Sequence, residues 1–298
     1  MFEEAKRFLI FAVFLSAVSV FFSELRSLNK EFLNADSGIR AEDNVTLEEN
    51  RFLDRYIRFW KGLLTLDMGK TESGDPVLSH IASRFWPTAH LSLFAILTAT
   101  LSSVGLALFS LKPGFSFLRD ALSFLSKLIL STPVFVVAVF LLVVFFAILG
   151  WLPPGGYEDW NSSYVILPGI ALGSRVFARI FLFATKLGED EEKSGYITVL
   201  EARGYSKNRI LFRHILLKIF PVLLILILLD LSSLLSGAIV VEEIFFFPGI
   251  GKSMYHAIRV MDSGLLAALL FYSGAVFYLL TRISERVRDR LLGWETSA

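Results

Sequence analysis

The sequence predicts an all-α integral membrane protein with about six transmembrane helices. Two observations on its 298 residues lead to this class: 54% of them are hydrophobic while only 19% are charged, and the apolar residues are concentrated in blocks. Soluble domains are about 45–50% apolar and about 25% charged. Because a helix needs about 20 apolar residues to cross about 30 Å of hydrocarbon, blocks of this length predict membrane spans.

Six apolar segments are the predicted spans. They are Phe8–Phe22, His90–Leu111, Leu122–Gly150, Tyr164–Lys186, Ile219–Val241 and Leu265–Thr281. The first segment also has the length of a signal-peptide core, with Ala17-Val18-Ser19 as its cleavage site. A retained span and a cleaved leader are therefore the two alternatives, and the bulky Phe21-Phe22 beside that site favours the retained span.

The third segment is too long for one straight crossing, and it contains Pro133. A proline removes a backbone donor and clashes with the preceding turn. The preceding Ser131 and Thr132 can form hydrogen bonds with the backbone groups that a proline frees. We expect a kink, or a new helix, at Pro133.

The spans divide the chain into segments of different character. These are an N-terminal span at 1–22, an extracytoplasmic loop with an interfacial segment at 23–89, a five-helix core at 90–281 that includes a basic segment at 196–217, and a tail at 282–298. The interfacial segment, RYIRFWKGLLTLDMG, mixes bases with Tyr56 and Trp60, which suit the depth of the headgroups. An ordinary amphipathic surface helix is the alternative for it.

Lys and Arg residues set the orientation, because they are enriched in short cytoplasmic loops. The loops of one side contain Lys6, Arg7, Lys112, Arg119, the bases between 193 and 218, and Arg282, Arg286, Arg288 and Arg290. The loop Trp151–Ser163 on the other side contains none. Six spans then place both termini in the cytoplasm. The net charge of +1 and the absence of a long basic block give no indication of nucleic-acid binding.

The sequence lacks the motifs of an enzyme. It contains no cysteine, which excludes disulfides, thiolate metal sites and cysteine nucleophiles. Its four histidines do not form the zinc motif HExxH, and the serine elbow GxSxG does not occur. The stretch GIGKS, Gly249–Ser253, resembles the end of a phosphate-binding loop, but Phe246 stands where that loop needs glycine, so a glycine-bounded turn is expected. We predict no catalytic residue, no metal and no bound cofactor.

Ionisable residues within spans are costly and often functional. Asp230 lies in the middle of an apolar segment and shares a helical face with Ser233. These two residues either line a polar translocation pathway or make a structural bond to a neighbouring helix. Arg175 and Arg179, four residues apart, are expected to extend toward the cytoplasm or to pair with an acidic residue; substrate binding is the less favoured alternative.

The most informative polar stretch is LEARGYSKNRILFRHIL, residues 200–216. Ile197–Arg203 can form two helical turns, and Gly204 follows at the C′ position, where glycine adopts the left-handed conformation at little cost. Ser206 can then cap a second helix through His214. Because short helices are marginal alone in water, a stable one here predicts binding to another protein. A basic interfacial linker is the alternative.

This stretch resembles the coupling motif of ABC-importer permeases, EAA-x3-G-x9-I-x-L-P, in the dipeptide/oligopeptide/nickel subfamily. Thr198-Val199-Leu200 occupies the EAA positions, and Gly204 falls on the glycine. At the isoleucine, leucine and proline positions the chain has His214, Leu216 and Leu217, and the nearest proline is Pro221.

Further stretches resemble the same subfamily in the same order. VVEEIFFFPGIG, residues 240–251, resembles its signature loop, with the matching residues Glu242, Phe245, Pro248, Gly249 and Gly251. GWLPPGGY at 150–157 and the region 55–93 before the second span also match. Two departures are the polar stretch SELRSLNKEF after the first span and an acidic insertion, GEDEE, at 188–192.

The resemblance implies a type I ABC importer permease with a cytoplasmic coupling helix, in a bacterial cytoplasmic membrane. Residues 196–217 are therefore called the coupling segment. Its implied partners are a homologous second permease, two cytoplasmic ATPases that hydrolyse ATP, an extracytoplasmic binding protein that delivers peptide, and membrane lipid. The implied ATPase-coupling residues are Thr198, Leu200, Glu201, Ala202, Arg203 and Gly204. A self-powered secondary transporter that uses Asp230 as an ion or proton site is the alternative.

Overall fold

The computed structural model describes residues 6–22, 51–158 and 161–292, and helix dominates these residues. The helices are α1 (6–22), α2 (Arg51–Thr65), α3 (Val77–Ser110), α4 (Ser116–Ser131), α5 (Val134–Leu141), α6 (Ser163–Glu192), α7 (Gly195–Ala202), α8 (Lys207–Arg209), α9 (Leu216–Leu235), α10 (Ile239–Ile244), α11 (Ile250–Val260) and α12 (Ser263–Leu292). Two π-helical stretches, Leu142–Ile148 and Ile210–Ile215, follow α5 and α8. No strand occurs in the described residues, which agrees with the predicted all-α class.

Four of the described helical segments are long and apolar enough to cross a membrane. They are Val77–Ser110, Ser163–Glu192, Lys207–Leu235 and Ser263–Leu291. The pair Ser116–Ser131 and Val134–Ile148 makes a fifth if it is counted as one broken span. The shorter α1 lies where the first of the six predicted spans was expected.

The second predicted span, His90–Leu111, begins too late. The observed α3 starts at Val77 and continues through Pro87. The segment before His90 therefore belongs to the helix rather than to a loop. Its polar residues misled the prediction, although two of them have partners: His80 Nε2 lies 2.6 Å from Ser253 Oγ, and Ser83 Oγ donates to His80 O over 2.8 Å.

The expected break at Pro133 is confirmed. Pro133 precedes α5, and the helical segments on its two sides form an angle of 108°. The hydroxyls of Ser131 and Thr132 donate to the carbonyls of Lys127 and Leu128 over 2.9 and 2.8 Å. The Thr132 hydroxyl pairs the Leu128 carbonyl, which has lost its helical partner because the N–H of Thr132 donates to Ile129 O instead.

The fifth predicted span, Ile219–Val241, ends too late. The helix stops at Leu235, and Gly237 has a φ of +118°, outside the helical region. A separate short helix, α10, follows. The long apolar sequence concealed this end, because the aliphatic run continues through Ile239 and Val240 on both sides of the turn.

The described residues form two compact units. One comprises 89–235, 240–247 and 278–292, and α6 is its centre, since α4, α5 and α9 all pack against it. Its core consists of fully buried side chains of α3, α6 and the segment before α9; among them are Leu108, Ile180, Phe181, Leu211 and Ile215. The coupling segment thus begins and ends on helices of one apolar core.

The other unit comprises 6–22, 51–88, 236–239 and 248–277. In it, Val77 and Ile81 at the start of α3 pack with residues of α11 and α12 such as Ile250, Leu265 and Leu269. Backbone–side chain bonds join the same elements. Thr88 Oγ1 accepts from Ile250 N over 2.8 Å, and Asp262 Oδ2 accepts from Glu72 N over 2.8 Å.

Gly251 and Gly237 allow two backbone segments of this unit to approach closely. A Cβ on Gly251 would lie 2.6 Å from Ile239 N and 2.7 Å from its Cα, and a Cβ on Gly237 would lie 3.1 Å from Gly251 Cα. The obstructing atoms belong to the backbone, so a side chain at 251 cannot be accommodated by a rotamer change. The motif glycine at 251 therefore has a steric role.

We predict that Gly251→Ala destabilises the purified protein by about 1–3 kcal/mol, the usual cost of forcing an extra methyl group into a packed site. Thermal unfolding in mild detergent, followed by loss of the monodisperse gel-filtration peak, measures this. Gly105→Ala is the matched control, because a Cβ there meets nothing within 4 Å. Equal midpoints for Gly251→Ala and the control would contradict the steric role.

Candidate functional site

The short helix α7 has one buried face and one exposed face. Ile197 is 3% exposed, and Leu200, three residues later, packs against the same core cluster. The other side chains, Thr198, Val199, Glu201, Ala202 and Arg203, are exposed. The Val199 side chain is 51% exposed, an apolar group in the middle of the free face. The helix is thus held against the core by two residues, while the side chains of its other face are exposed.

The end of α7 has the geometry expected of a C′ glycine. Gly204 has a φ of +78°, which confirms the predicted left-handed conformation. Its N–H donates to Glu201 O over 2.9 Å, and the N–H of Tyr205 donates to Leu200 O over 3.1 Å. This pair of bonds is a Schellman motif, which satisfies carbonyls at the helix end. The chain therefore leaves α7 in a fixed direction.

The second helix begins after Ser206, as predicted, but without the expected side-chain cap. Ser206 stands at the N-cap position with an extended ψ of 150°, and its hydroxyl makes no capping hydrogen bond. The helix then widens into the π-helical stretch Ile210–Ile215, which buries Ile210, Leu211 and Ile215. The ring of His214, also in this stretch, lies edge-on to Tyr205, with centroids 5.5 Å apart.

The acidic run, residues 189–192, forms the last turn of α6. Each of its four carboxylates has a partner on a different helix. Glu189 pairs with Arg119 of α4 over 3.1 Å, and Asp190 pairs with Lys186 of α6 itself over 3.0 Å. Glu191 accepts from the hydroxyl of Tyr196 of α7 over 3.0 Å, and Glu192 pairs with Lys207 of α8 over 2.7 Å. Negative charge at a helix C-terminus opposes the helix dipole. The partners offset that effect, and they attach the coupling segment to α6.

Two of these contacts link the coupling segment directly. Glu192 and Lys207 are 22% and 34% exposed, so water screens their attraction only in part. Partial burial, together with the hydrogen bond that the Tyr196 hydroxyl donates to Glu191, raises the pKa of Tyr196 to about 12. The phenol therefore remains a hydrogen-bond donor throughout the physiological pH range. The sequence showed the acidic run but gave no indication of which residue each carboxylate would contact.

Asp230 is buried and accepts a bond from the Arg179 guanidinium of α6, so the pair joins α6 to α9. For Arg179, the sequence left open an acidic partner, and Asp230 is that partner. For Asp230, one of the two alternatives was a structural bond to a neighbouring helix, and the pair with Arg179 is such a bond. Ser233, on the same predicted face, is exposed rather than buried. The two residues thus lie in different surroundings within this chain.

The two loops that follow the third and fifth predicted spans meet in the structure. The N–H of Gly156, in GWLPPGGY, donates to Phe245 O over 2.7 Å, and the rings of Tyr157 and Phe247 are 5.2 Å apart, edge to face. Glu242, Phe245 and Phe247 are buried. Pro248 and Gly249 lead into α11, so GIGKS starts a helix and is not the expected turn.

Known proteins are similar to this chain in sequence and in fold. Residues 103–292 match the family described as "Binding-protein-dependent transport system inner membrane component". The oligopeptide transport system permease protein AppB of Bacillus subtilis is 28% identical over 233 residues, which cover 74% of this chain and 73% of that relative. The dipeptide transport system permease protein DppB of Alkalihalophilus pseudofirmus is 26% identical over 80% of each chain. The glutathione transport system permease protein GsiC of Escherichia coli K12 is 27% identical over 77% of this chain and 76% of its own length.

Among solved structures, the MetNI methionine ABC transporter in inward-facing conformations matches with a TM-score of 0.59. The alignment covers 72% of this chain and 96% of that chain at 16% identity, so it shows the fold alone. The family match, by contrast, extends over more than half of the chain. The chain therefore belongs to the inner membrane components of binding-protein-dependent transport systems, as a permease subunit of an ABC importer with the type I importer fold.

Proposed function

We propose that this permease imports peptides and that α7 is the element through which partner ATPases drive it. The substrate class rests on the relatives, which are named for oligopeptide, dipeptide and glutathione transport. The observation that supports the drive is the attachment of α7. It is held by Ile197 and Leu200 on one face, and leaves Thr198, Val199, Glu201, Ala202 and Arg203 available on the other.

The continuity of the chain supplies the mechanism. α6 leads into α7, and the segment after Gly204 leads through α8 into α9 without a further break. A force on the exposed face of α7 therefore acts on two spans at once. Closure of the ATPases on ATP moves α7, and the spans follow as packed bodies that alternate between inward-facing and outward-facing states. Transmission of this kind requires discrete, well-packed elements.

The proposed assembly places this chain beside a homologous second permease, with two cytoplasmic ATPases and an extracytoplasmic binding protein. ATP is hydrolysed by the partners, and this chain holds no cofactor. Both termini and residues 196–217 then lie in the cytoplasm of a bacterium, 23–89 lies on the outer side, and 90–281 forms the core. This orientation rests on the distribution of Lys and Arg in the short loops.

The self-powered transporter is not favoured. Its ion or proton site at Asp230 already has the Arg179 guanidinium as a partner within the chain. A paired, buried carboxylate holds α6 and α9 together more readily than it offers an exchangeable site. A role for Asp230 and Ser233 in the translocation pathway stays a prediction.

We predict that a single cysteine on the exposed face of α7 crosslinks to an ABC ATPase. Because the chain has no cysteine of its own, Ala202→Cys provides a unique thiol, and Leu200→Cys tests the edge of the buried face. Membrane vesicles are treated with a short bifunctional thiol reagent, and the product is identified by mass spectrometry. Lys70→Cys, exposed on the opposite proposed side, is the control and should give no such product. Failure of both α7 thiols, in protein that is membrane-inserted, would refute the proposal.

We predict that Gly204→Val uncouples ATP hydrolysis from uptake. The left-handed conformation costs a residue with a Cβ about 1–2 kcal/mol, and a β-branched residue is especially unfavourable there. Space is not limiting, since a Cβ at 204 meets nothing within 4 Å. Uptake by intact cells should fall about tenfold or more while the amount of inserted protein is unchanged.

Gly204→Asn is the matched control, because asparagine tolerates the left-handed region. It should retain most of the uptake. Equal loss in both variants would show that the side chain at 204, and not the backbone angle, is what matters.

We predict that Glu192→Lys lowers coupled uptake and that adding Lys207→Glu restores it. The single substitution replaces an attraction with a repulsion, an effect of about 1 kcal/mol, or about fivefold, for a partly exposed pair. Asp190→Lys is the control, since its partner Lys186 belongs to the same helix and does not reach α7 or α8. The readout is the number of substrates taken up per ATP hydrolysed in proteoliposomes. No recovery in the double variant would remove the ion pair from the mechanism.

A further inference from the structure

The unit that contains α1 and α2 has a cavity of about 580 Å³ that the transport mechanism does not use. Its wall includes three cationic side chains of α2, namely Arg55, Arg58 and Lys61, and its apolar part includes Val20, Phe59 and Ala267. A wall with both basic and apolar side chains suits a ligand that is itself amphiphilic and negatively charged.

The three bases face the cavity because of their spacing. Arg55, Arg58 and Lys61 recur every third residue, so they lie along one side of α2. Gly62, also in the wall, is buried, and a Cβ there would lie 2.7 Å from the backbone oxygen of Asp67, so glycine lets the chain after α2 fold back against the helix. The side chains of Arg58 and Lys61 are exposed, so a ligand can reach them from solvent or from the membrane surface.

One acidic residue, Asp67, also lines the cavity. Its Oδ1 accepts from the N–H of Gly69 over 3.2 Å. Arg58 Nε donates to the backbone carbonyl of Asp54 over 3.3 Å, which leaves the guanidinium charge uncompensated by that contact. The wall therefore carries three positive groups against one negative group, and it favours an anion.

An exposed apolar stripe runs along α2 beside these bases. It consists of Leu53, Ile57 and Leu64, whose side chains are 55%, 62% and 78% exposed. Lys61 lies four residues after Ile57 and three before Leu64, so it borders the stripe directly. Apolar groups exposed in a row next to bases are typical of a helix that lies in the membrane interface.

The side of α2 that adjoins the stripe is held by contacts with α1 and α12, so the stripe cannot turn inward. Trp60 Nε1 donates to Ser16 Oγ of α1 over 3.1 Å, and the hydroxyl of Tyr56 lies 3.2 Å from the same atom. The rings of Phe59 and Phe271 meet edge to face, with centroids 5.5 Å apart. The aromatic residues expected at headgroup depth thus pack against α1 and α12, and the aliphatic stripe takes the outward position.

We propose that this basic cavity binds the headgroup of an anionic phospholipid, with its acyl chains along Leu53, Ile57 and Leu64. The phosphodiester accepts hydrogen bonds from Arg55, Arg58 and Lys61, and its negative charge complements the positive charge of these side chains. The apolar stripe distinguishes a lipid from a soluble phosphate, which has nothing to place there. The proposal is independent of how the importer is powered and of its substrate.

The test is native mass spectrometry of the detergent-purified, delipidated complex during titration with phosphatidylglycerol. The variant Arg55→Gln/Arg58→Gln/Lys61→Gln should bind phosphatidylglycerol at least about tenfold more weakly, since each base near a membrane surface contributes severalfold to the affinity for anionic lipid. The matched control is Lys127→Gln/Arg259→Gln/Arg290→Gln, which removes the same charge from exposed positions on other helices. Unchanged affinity in the first variant, or equal losses in both, would overturn the proposal.

Two further arms keep the result decisive. Arg55→Lys/Arg58→Lys keeps the charge and should retain most of the affinity. This variant provides the test if the glutamine variant does not fold. Loss of binding in it would contradict electrostatic recognition. Phosphatidylcholine should bind at least tenfold more weakly than phosphatidylglycerol, and millimolar glycerol phosphate should not displace the lipid. Displacement by glycerol phosphate would assign the cavity to a soluble phosphate, and equal binding of both lipids would remove the role of charge.

Discussion

The hydrocarbon interior of a bilayer offers no hydrogen-bond partner to a backbone amide, so the chain must satisfy its own. This constraint accounts for the helical content and for the places where helices stop. At Pro133 the hydroxyls of Ser131 and Thr132 take over carbonyls at the end of α4. Outside the spans, at Gly204, the carbonyls at the end of α7 are paired by a Schellman motif. Each break redirects the chain while its backbone groups remain paired.

The orientation of α7 in the coupling segment depends on how the helix ends. Because α7 is bounded by α6 on one side and by a glycine with a fixed backbone angle on the other, its orientation is set by covalent geometry and a few contacts. Ile197 and Leu200 bind it to the core, and Glu191 and Glu192 bind its flanks. The proposed transmission of an ATPase motion requires an element held in this way, because α7 then has to move together with α6 and α9.

Much of this was predictable from local signals. Apolar length gave the spans, proline and glycine gave the breaks at 133 and 204, and the sequence patterns indicated the family that the comparisons establish. The failures have physical reasons as well. The start of α3 was missed because polar residues there find partners in α11, and the end of α9 was missed because its apolar run continues past the turn at Gly237.

Contacts between distant residues were not accessible to such reasoning. Arg179 and Asp230 are 51 positions apart in the sequence. For the acidic run, the sequence alone does not distinguish which of several nearby bases each carboxylate contacts. Only the packing of α6 against α4 and α9 selects Arg119, Lys207 and Arg179 as the partners. Charge patterns thus predict that ion pairs form, while the fold decides between which residues.

The position of the acidic run has a consequence for assembly. Glu191, Glu192, Tyr196 and Lys207 all lie within one short stretch of sequence, so their contacts form inside the isolated chain. We therefore expect α7 to be ordered before a partner binds. Association then loses less conformational entropy than it would with a disordered segment, and more of the contact energy is expressed as affinity.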